Sequence, residues 1–201
     1  MTRLAWPALL ALVLAGCAAP PRVPEGGAAP DPGVFRQWTA SGRMAIATGN
    51  EGGSGAFDWA QDNATTRLDL RGPLGAGSVQ LVVTPDSLSL ADGTGRVLDA
   101  EAAKAGLQAR LGADLPWGHL RFWMLGLAAP GDGAAVQEFG AAPWRVIEQS
   151  GWRLTYESFA EVQGFNLPTR FAAERGAVRV RVIVDRWSPG RTVPAAPEAL
   201  W

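Results

Sequence analysis

The chain has 201 residues with 18 basic and 19 acidic side chains, and a single cysteine. That length fits one domain once a leader is removed. The balanced charge argues against a nucleic-acid binder and against polybasic attachment to lipid, and one cysteine excludes an intramolecular disulfide.

Lys104 is the only lysine among the basic residues, and Ala, Gly and Pro are abundant. This looks like coding bias, so Ala-rich and Pro-rich stretches carry little weight. The nine tryptophans do not fit that discount. Eight of them lie beyond Trp6, which falls in the leader, and imply large apolar surfaces to fill or display.

Met1 to Arg3 is a short positive segment, and Leu4 to Ala15 is an apolar run broken only by Pro7. The run suits a signal peptide and is too short to span a bilayer. It ends in Leu14-Ala15-Gly16-Cys17, a lipobox. The expectation is cleavage after residue 16 and lipidation of Cys17, whose thiolate can take a diacylglycerol and whose freed amine can take an acyl chain. Those covalent lipids aside, no cofactor is expected. Ala18, where aspartate would signal inner-membrane retention, favours the outer membrane. Residues 17–33 are rich in Pro, Ala and Gly and read as a lipidated flexible tether, spanning roughly 20–25 Å as a coil or about 50 Å as polyproline II. Residues 34–187 form the expected domain, and residues 188–201 read as a disordered Pro/Ala tail.

Within the domain, period-two patterns dominate. Trp38, Ala40, Gly42, Met44 and Ile46 share one face, and Phe57 and Trp59 follow the same rule. So do Leu68 and Leu70, then Val79, Leu81 and Val83, then Leu88 and Leu90 before an Asp92-Gly93 turn. Such alternation predicts half-buried antiparallel strands. Asp99 caps a predicted helix over Ala100 to Leu111, stopped by Gly112, and Pro116 opens a second that Gly126 ends. Leu120, Trp123 and Met124 share a face of the second. Strands resume over Trp144–Gln149 and Trp152–Phe159 around a Ser150-Gly151 turn. Thr169–Glu174 then pairs with the strand carrying Val178, Val180, Val182 and Val184. About five strands, two helices and four to six strands suggest one curved sheet wrapped around the helices.

No catalytic constellation is visible. The lone histidine, His119, reads as a helix-surface residue or one bonded to a backbone carbonyl, and metal-ligand clusters, nucleophile elbows and phosphate loops are missing. A non-enzyme is expected. Something must fill the concave apolar face of a curved sheet: helices, a ligand, or both. The candidate lining is Met44, Ile46, Phe57, Trp59, Leu68, Leu70, Leu81 and Val83 from strands, with Leu107, Leu111, Leu120, Trp123 and Met124 from helices and Trp152 from the later hairpin. An ordinary dry core remains open on composition alone. The turn Gly72-Pro73-Leu74-Gly75 sets Leu74 at a hairpin tip between residues too small to bury it. It is either an ordinary exposed leucine or a contact to lipid or a partner.

These pieces, in order, resemble the outer-membrane lipoprotein receptor family LolB. The resemblance covers Gln37 to Trp187. It rests on Trp38-Thr39-Ala40-Ser41-Gly42-Arg43, Phe57-Asp58-Trp59, Gly72-Pro73-Leu74-Gly75, Leu111-Gly112 with Leu115-Pro116, and Leu120-Arg121-Phe122-Trp123-Met124-Leu125-Gly126. Gln149-Ser150-Gly151-Trp152, Leu167-Pro168 and Asp185-Arg186-Trp187 complete it. Phe122 departs from the polar residue more usual there, and the tail after Trp187 is no family feature. The resemblance implies a mostly β fold, a single open antiparallel β-barrel of about eleven strands with inserted helices capping an apolar cavity. It further implies a monomer lipid-anchored on the periplasmic face of the outer membrane. Such a receptor takes triacylated lipoproteins from the periplasmic carrier LolA and inserts them into the inner leaflet, without nucleotide. Carrier, acylated cargo and outer-membrane lipid are its implied partners, with no nucleic acid, and Pro73, Leu74 and Gly75 its implied insertion loop. The rival expectation is a tethered structural or assembly lipoprotein with a dry core and a protein partner.

Overall fold

A computed structural model describes residues 26–190, apart from 34, 73–76, 99–100, 103–104, 106–114, 132 and 143. Cys17, the Pro73-Leu74-Gly75 tip, Leu107, Leu111 and the tail beyond Gly190 lie outside the described residues.

Eleven strands form one antiparallel sheet. They are β1 (Gln37–Thr48), β2 (Glu51–Asp62), β3 (Thr65–Arg71), β4 (Ser78–Val83), β5 (Leu88–Asp92) and β6 (Val97–Leu98), then β7 (Ala134–Glu138), β8 (Arg145–Gln149), β9 (Trp152–Val162), β10 (Phe165–Arg175) and β11 (Val178–Pro189). The spatial order is β6-β5-β4-β3-β2-β1-β11-β10-β9-β8-β7. Each half of the chain is a meander, and the halves join where β1 pairs with β11. β6 and β7 end the sheet on either side, so the barrel is open. The hairpin at Ser150-Gly151 forms as its residues predict: φ is 51° and 75°, the left-handed pair a two-residue connection needs.

The alternation seen in the sequence becomes inside and outside. Trp38, Ala40, Phe57, Trp59, Leu68 and Leu81 are buried. The outer faces carry ion pairs such as Arg43–Asp185, Arg71–Asp58, Arg153–Glu148 and Arg179–Glu174. These are exposed and add little stability. A bulge between Ser41 and Gly42 leaves Asp185 out of register, so Ala40 faces Trp187 while Gly42 faces Val184. That phase change turns both Val184 and Trp187 inward although three residues separate them. Pro168 sits at a second irregularity, where its missing N–H does no harm, and its carbonyl accepts the Trp187 indole N–H at 2.8 Å.

Two boundaries differ from expectation. The last strand runs through Pro189, and the Gly190 N–H donates to the Gln37 carbonyl at 2.8 Å, so the first residues of the expected tail belong to the sheet. The end of the expected flexible tether is docked. Ala28 pairs in parallel with Phe165, donating to the Gly164 carbonyl (2.7 Å) and accepting from the Asn166 N–H (2.8 Å). The Asn166 side-chain amide also donates to the Gly27 carbonyl at 2.7 Å. A tether reading from composition misses this because backbone bonds to a sheet end need no side-chain signature. The strap meets the sheet at the β9–β10 turn. The β3–β4 connection, closed by a Gly72-to-Gly77 backbone bond of 3.0 Å, lies at the opposite end.

Gly42 and Gly55 explain how the sheet curls so tightly. A Cβ on Gly42 would stand 2.1 Å from the Ile183 carbonyl oxygen, and one on Gly55 2.2 Å from that of Arg71. Both neighbours are backbone and cannot step aside. Gly42→Val is expected to lower unfolding free energy by about 1–3 kcal/mol, whereas valine at open Gly53 leaves it within about 0.5 kcal/mol; urea midpoints compare the two.

Candidate functional site

The sheet has one apolar concave face, and residues 115–129 cross it. The expected second helix is shorter than its pattern: a 3₁₀ turn at Trp117–His119 leads into a helix of only Leu120–Met124. Gly126, at φ 76°, ends it as predicted. Phe122, Trp123, Met124 and Leu125 are buried. Of the first expected helix, Glu101, Ala102 and Ala105 are helical among the described residues.

Polar groups pin this covering segment to one side of the sheet. The Trp123 indole N–H donates to Gln149 Oε1 at 3.1 Å, and the Ala129 N–H donates to the same oxygen at 2.9 Å. Gln149 Nε2 returns a bond to the Ala129 carbonyl at 2.8 Å. The Tyr156 hydroxyl donates to the Trp123 carbonyl at 2.7 Å, and burial pushes that phenol far above its ordinary pKa, so it stays a neutral donor. Arg145 donates to the Gly126 carbonyl at 2.6 Å and pairs with Glu138. His119 approaches the Ser150 hydroxyl at 3.3 Å and meets Trp123 edge-on. All of these anchors are on β7, β8, β9 or the turn between β8 and β9.

Between the pinned segment and β1–β5 lies a cavity of about 150 Å³, lined wholly by apolar surface. Ten expected lining residues meet there: Met44, Ile46, Trp59, Leu68, Leu70, Leu81, Leu120, Trp123, Met124 and Trp152. Phe57 is buried and Val83 faces a different cavity, so neither lines this one. Val79, Leu90, Leu115, Trp117, Leu154, Phe171, Ala173, Val180 and Val182 also line it. Their strand alternation was legible, but only the junction of β1 with β11 brings the second half of the chain to the same space.

The far wall is an aromatic plug. Trp38 stacks on Trp59 with ring centres 5.7 Å apart and planes 6° from parallel, and Trp187 lies 5.2 Å from Trp38. Trp59 donates to Gln61 Oε1 (3.1 Å), which also accepts the Thr66 hydroxyl (2.8 Å). Gln61, although 2% exposed, is thereby satisfied.

An open antiparallel sheet curled around an internal apolar cavity, with a short helical segment across its mouth, defines the class of half-barrel cavity proteins. The solved structure of a LolA superfamily protein from Nitrosomonas europaea has this fold, with a TM-score of 0.51 over 80% of this chain and 88% of that one at 8% identity. The family model described as outer membrane lipoprotein LolB matches residues 36–187. Relatives named outer-membrane lipoprotein LolB are 35% identical in Halorhodospira halophila and 34% in Stutzerimonas stutzeri, each covering 90% of this chain and 92% of the relative. One from Azoarcus is 35% identical over 87% and 89%. The chain belongs to the LolB family. That family is one of lipoprotein localisation rather than of enzymes, and among the described residues no group of His, Cys, Asp or Glu could hold a metal ion.

Gln149→Leu is expected to strand the Trp123 N–H and both Ala129 backbone groups in the interior. Unfolding free energy should fall by about 2–4 kcal/mol in urea titration.

Proposed function

We propose that this protein accepts acylated lipoproteins from a LolA-type carrier in its apolar cavity and inserts them into the outer membrane. The observation that carries this reading is a wholly apolar cavity under a polar-pinned cover, in a chain whose relatives are named outer-membrane lipoproteins. On this reading residues 1–16 are removed, Cys17 carries the lipid, and the domain works as a monomer at the periplasmic face.

One sixteen-carbon chain holds its membrane with about 12 kcal/mol, so passage through water is prohibitively slow. A dry cavity removes most of that barrier. Nucleotide is not needed if affinity rises from carrier to receptor to membrane. A carrier of the same fold presents an apolar concave face of its own, and chains can pass between two such faces. A dry cavity of about 150 Å³ holds roughly one benzene-sized group. Three acyl chains therefore require residues 115–129 to move outward. Most of their anchors lie on β7–β9, so the segment can hinge there and open towards β3–β5 once the Arg121 bond to the Asn63 carbonyl is released.

Insertion is assigned to Leu74, which belongs to the connection between β3 and β4; those strands meet at the end of the sheet opposite the docked strap. Gly27 lies ten residues beyond Cys17, a stretch that reaches at most about 33–36 Å. The twelve residues of β1 extend about 40 Å. With the strap docked, that reach falls a few ångströms short of the strand length, so on this reading the loop of Leu74 meets the bilayer when the domain lies along it.

Three outcomes follow. A fluorescent apolar dye should bind the mature chain at near-unit stoichiometry, and Ala173→Phe, which puts a ring into the cavity, should weaken it about tenfold while circular dichroism stays unchanged; saturable binding that ignores this variant would mean the dye sits elsewhere. Mixed with a carrier holding a triacylated lipoprotein, the protein should take the cargo without nucleotide. Cargo that stays on a competent carrier would favour the structural lipoprotein with a dry core. Finally, Leu74→Glu, or deletion of residues 19–24, should leave that transfer intact and slow release into liposomes at least about tenfold.

A further inference from the structure

The concave face does not end with the apolar cavity. Two residues further along three strands, Thr66 precedes Leu68, Val83 follows Leu81 and Leu88 precedes Leu90. Each step of two keeps the same face and advances about 6.6 Å. Here a second cavity opens, of about 460 Å³, between the β2–β3 turn, the β4–β5 turn and the start of the covering segment. Trp117 belongs to both walls.

The second wall is mixed. Thr84 and Ser87 bring hydroxyls, Asp86 and Glu101 carboxylates, and Arg121 a guanidinium. Arg121 is held in place: Nη1 donates to the Asn63 carbonyl at 3.0 Å, and its Cζ lies 4.6 Å from the Phe122 ring centre. Those contacts occupy one of its five N–H donors, and none of the described ion pairs includes it. Arg121 sits in the Leu120-to-Gly126 motif, yet it does not line the chain cavity.

We propose that this cavity receives the polar head of the cargo, the glyceryl diester, thioether and amide of its acylated cysteine, with Arg121 donating to ester or amide carbonyls. This rests on the reading that acyl chains enter the neighbouring apolar cavity. The two cavities run end to end along the strands, as the chains and head of one amphiphile do. Among the described residues the wall mixes hydroxyls and carboxylates with the single guanidinium of Arg121, a set suited to a polar, uncharged head. A fully acylated cysteine is uncharged and rich in carbonyl acceptors. The chain cavity would then hold any acyl group, while the head cavity distinguishes a lipoprotein from a fatty acid or a phospholipid.

The test is displacement of a bound apolar dye from the mature chain carrying Cys17→Ser, by a synthetic tripalmitoyl-cysteinyl peptide, by palmitate and by phosphatidylethanolamine. Arg121→Ala, and Ser87→Trp to fill the cavity, should each weaken the lipopeptide about tenfold and leave palmitate and the urea midpoint unchanged. Equal losses for lipopeptide and palmitate, or no loss for either, overturn the proposal. An Arg121-dependent loss confined to phosphatidylethanolamine overturns it in favour of a phospholipid site. If palmitate fails to displace the dye from the parent protein, the acyl-chain reading falls and the head site falls with it.

Discussion

A single sheet with one apolar face must be covered, and here one short segment does the covering from one side. Gln149 and Tyr156 bind that segment through Trp123 and Ala129, drawing it against β8 and β9. Between that segment and the inner face of the sheet a cavity of about 150 Å³ is left. Among the described residues only apolar side chains line it, so water there would find no hydrogen-bond partners. At about 24 cal/mol per Å³, leaving it empty costs roughly 4 kcal/mol. On the proposed reading, an acyl chain entering it would recover that cost before any specific contact is made.

The pinning is polar and the binding face apolar, and the division has a mechanical consequence. Hydrogen bonds are directional and hold one edge of the cover in place. Dispersion contacts on the other edge are individually weak and are exchanged for equivalent contacts with a chain. On the proposed reading, a cover held mainly on one side would open along the other, where the Arg121 bond to the Asn63 carbonyl is a polar tie. The domain also has two distinct ends. The strap from Gly26 is bonded at the β9–β10 turn, and the connection bearing Leu74 leaves from the other end. On the proposed reading, the strap and the β3–β4 connection lie about one strand length apart, which would couple the tilt of the domain to the reach of its tether.

Much of the fold was legible because the physics behind it is local. The alternation in Trp38–Ile46, Leu68–Leu70 and Val79–Val83 records which side of a strand is wet, and ten of the expected lining residues do face one cavity. Two short or exposed strands left no such record. β6 has two residues, and β7 is exposed on both faces, so neither needs an apolar period. The covering helix was overestimated because the stripe of Leu120, Trp123 and Met124 fits a long helix as well as a 3₁₀ turn followed by five helical residues. Phe57 and Val83 were assigned correctly to the inner face but not to the cavity, since face is a property of a strand and cavity a property of what stands opposite.

The sequence by itself determined a lipobox chain, one sheet of half-buried strands, the breakpoints between them and the residues turned inward. Each follows from the chemistry of neighbours along the chain. Tertiary structure alone decided that β1 meets β11 and carries Phe171, Ala173, Val180 and Val182 into the same space as Met44. It also decided that a bulge at Asp185 turns Trp187 inward, that Gln149 fixes the cover on one side, and that the tether docks at Ala28. These depend on which distant groups come within a few ångströms of one another, and separation in space is not encoded in any local period.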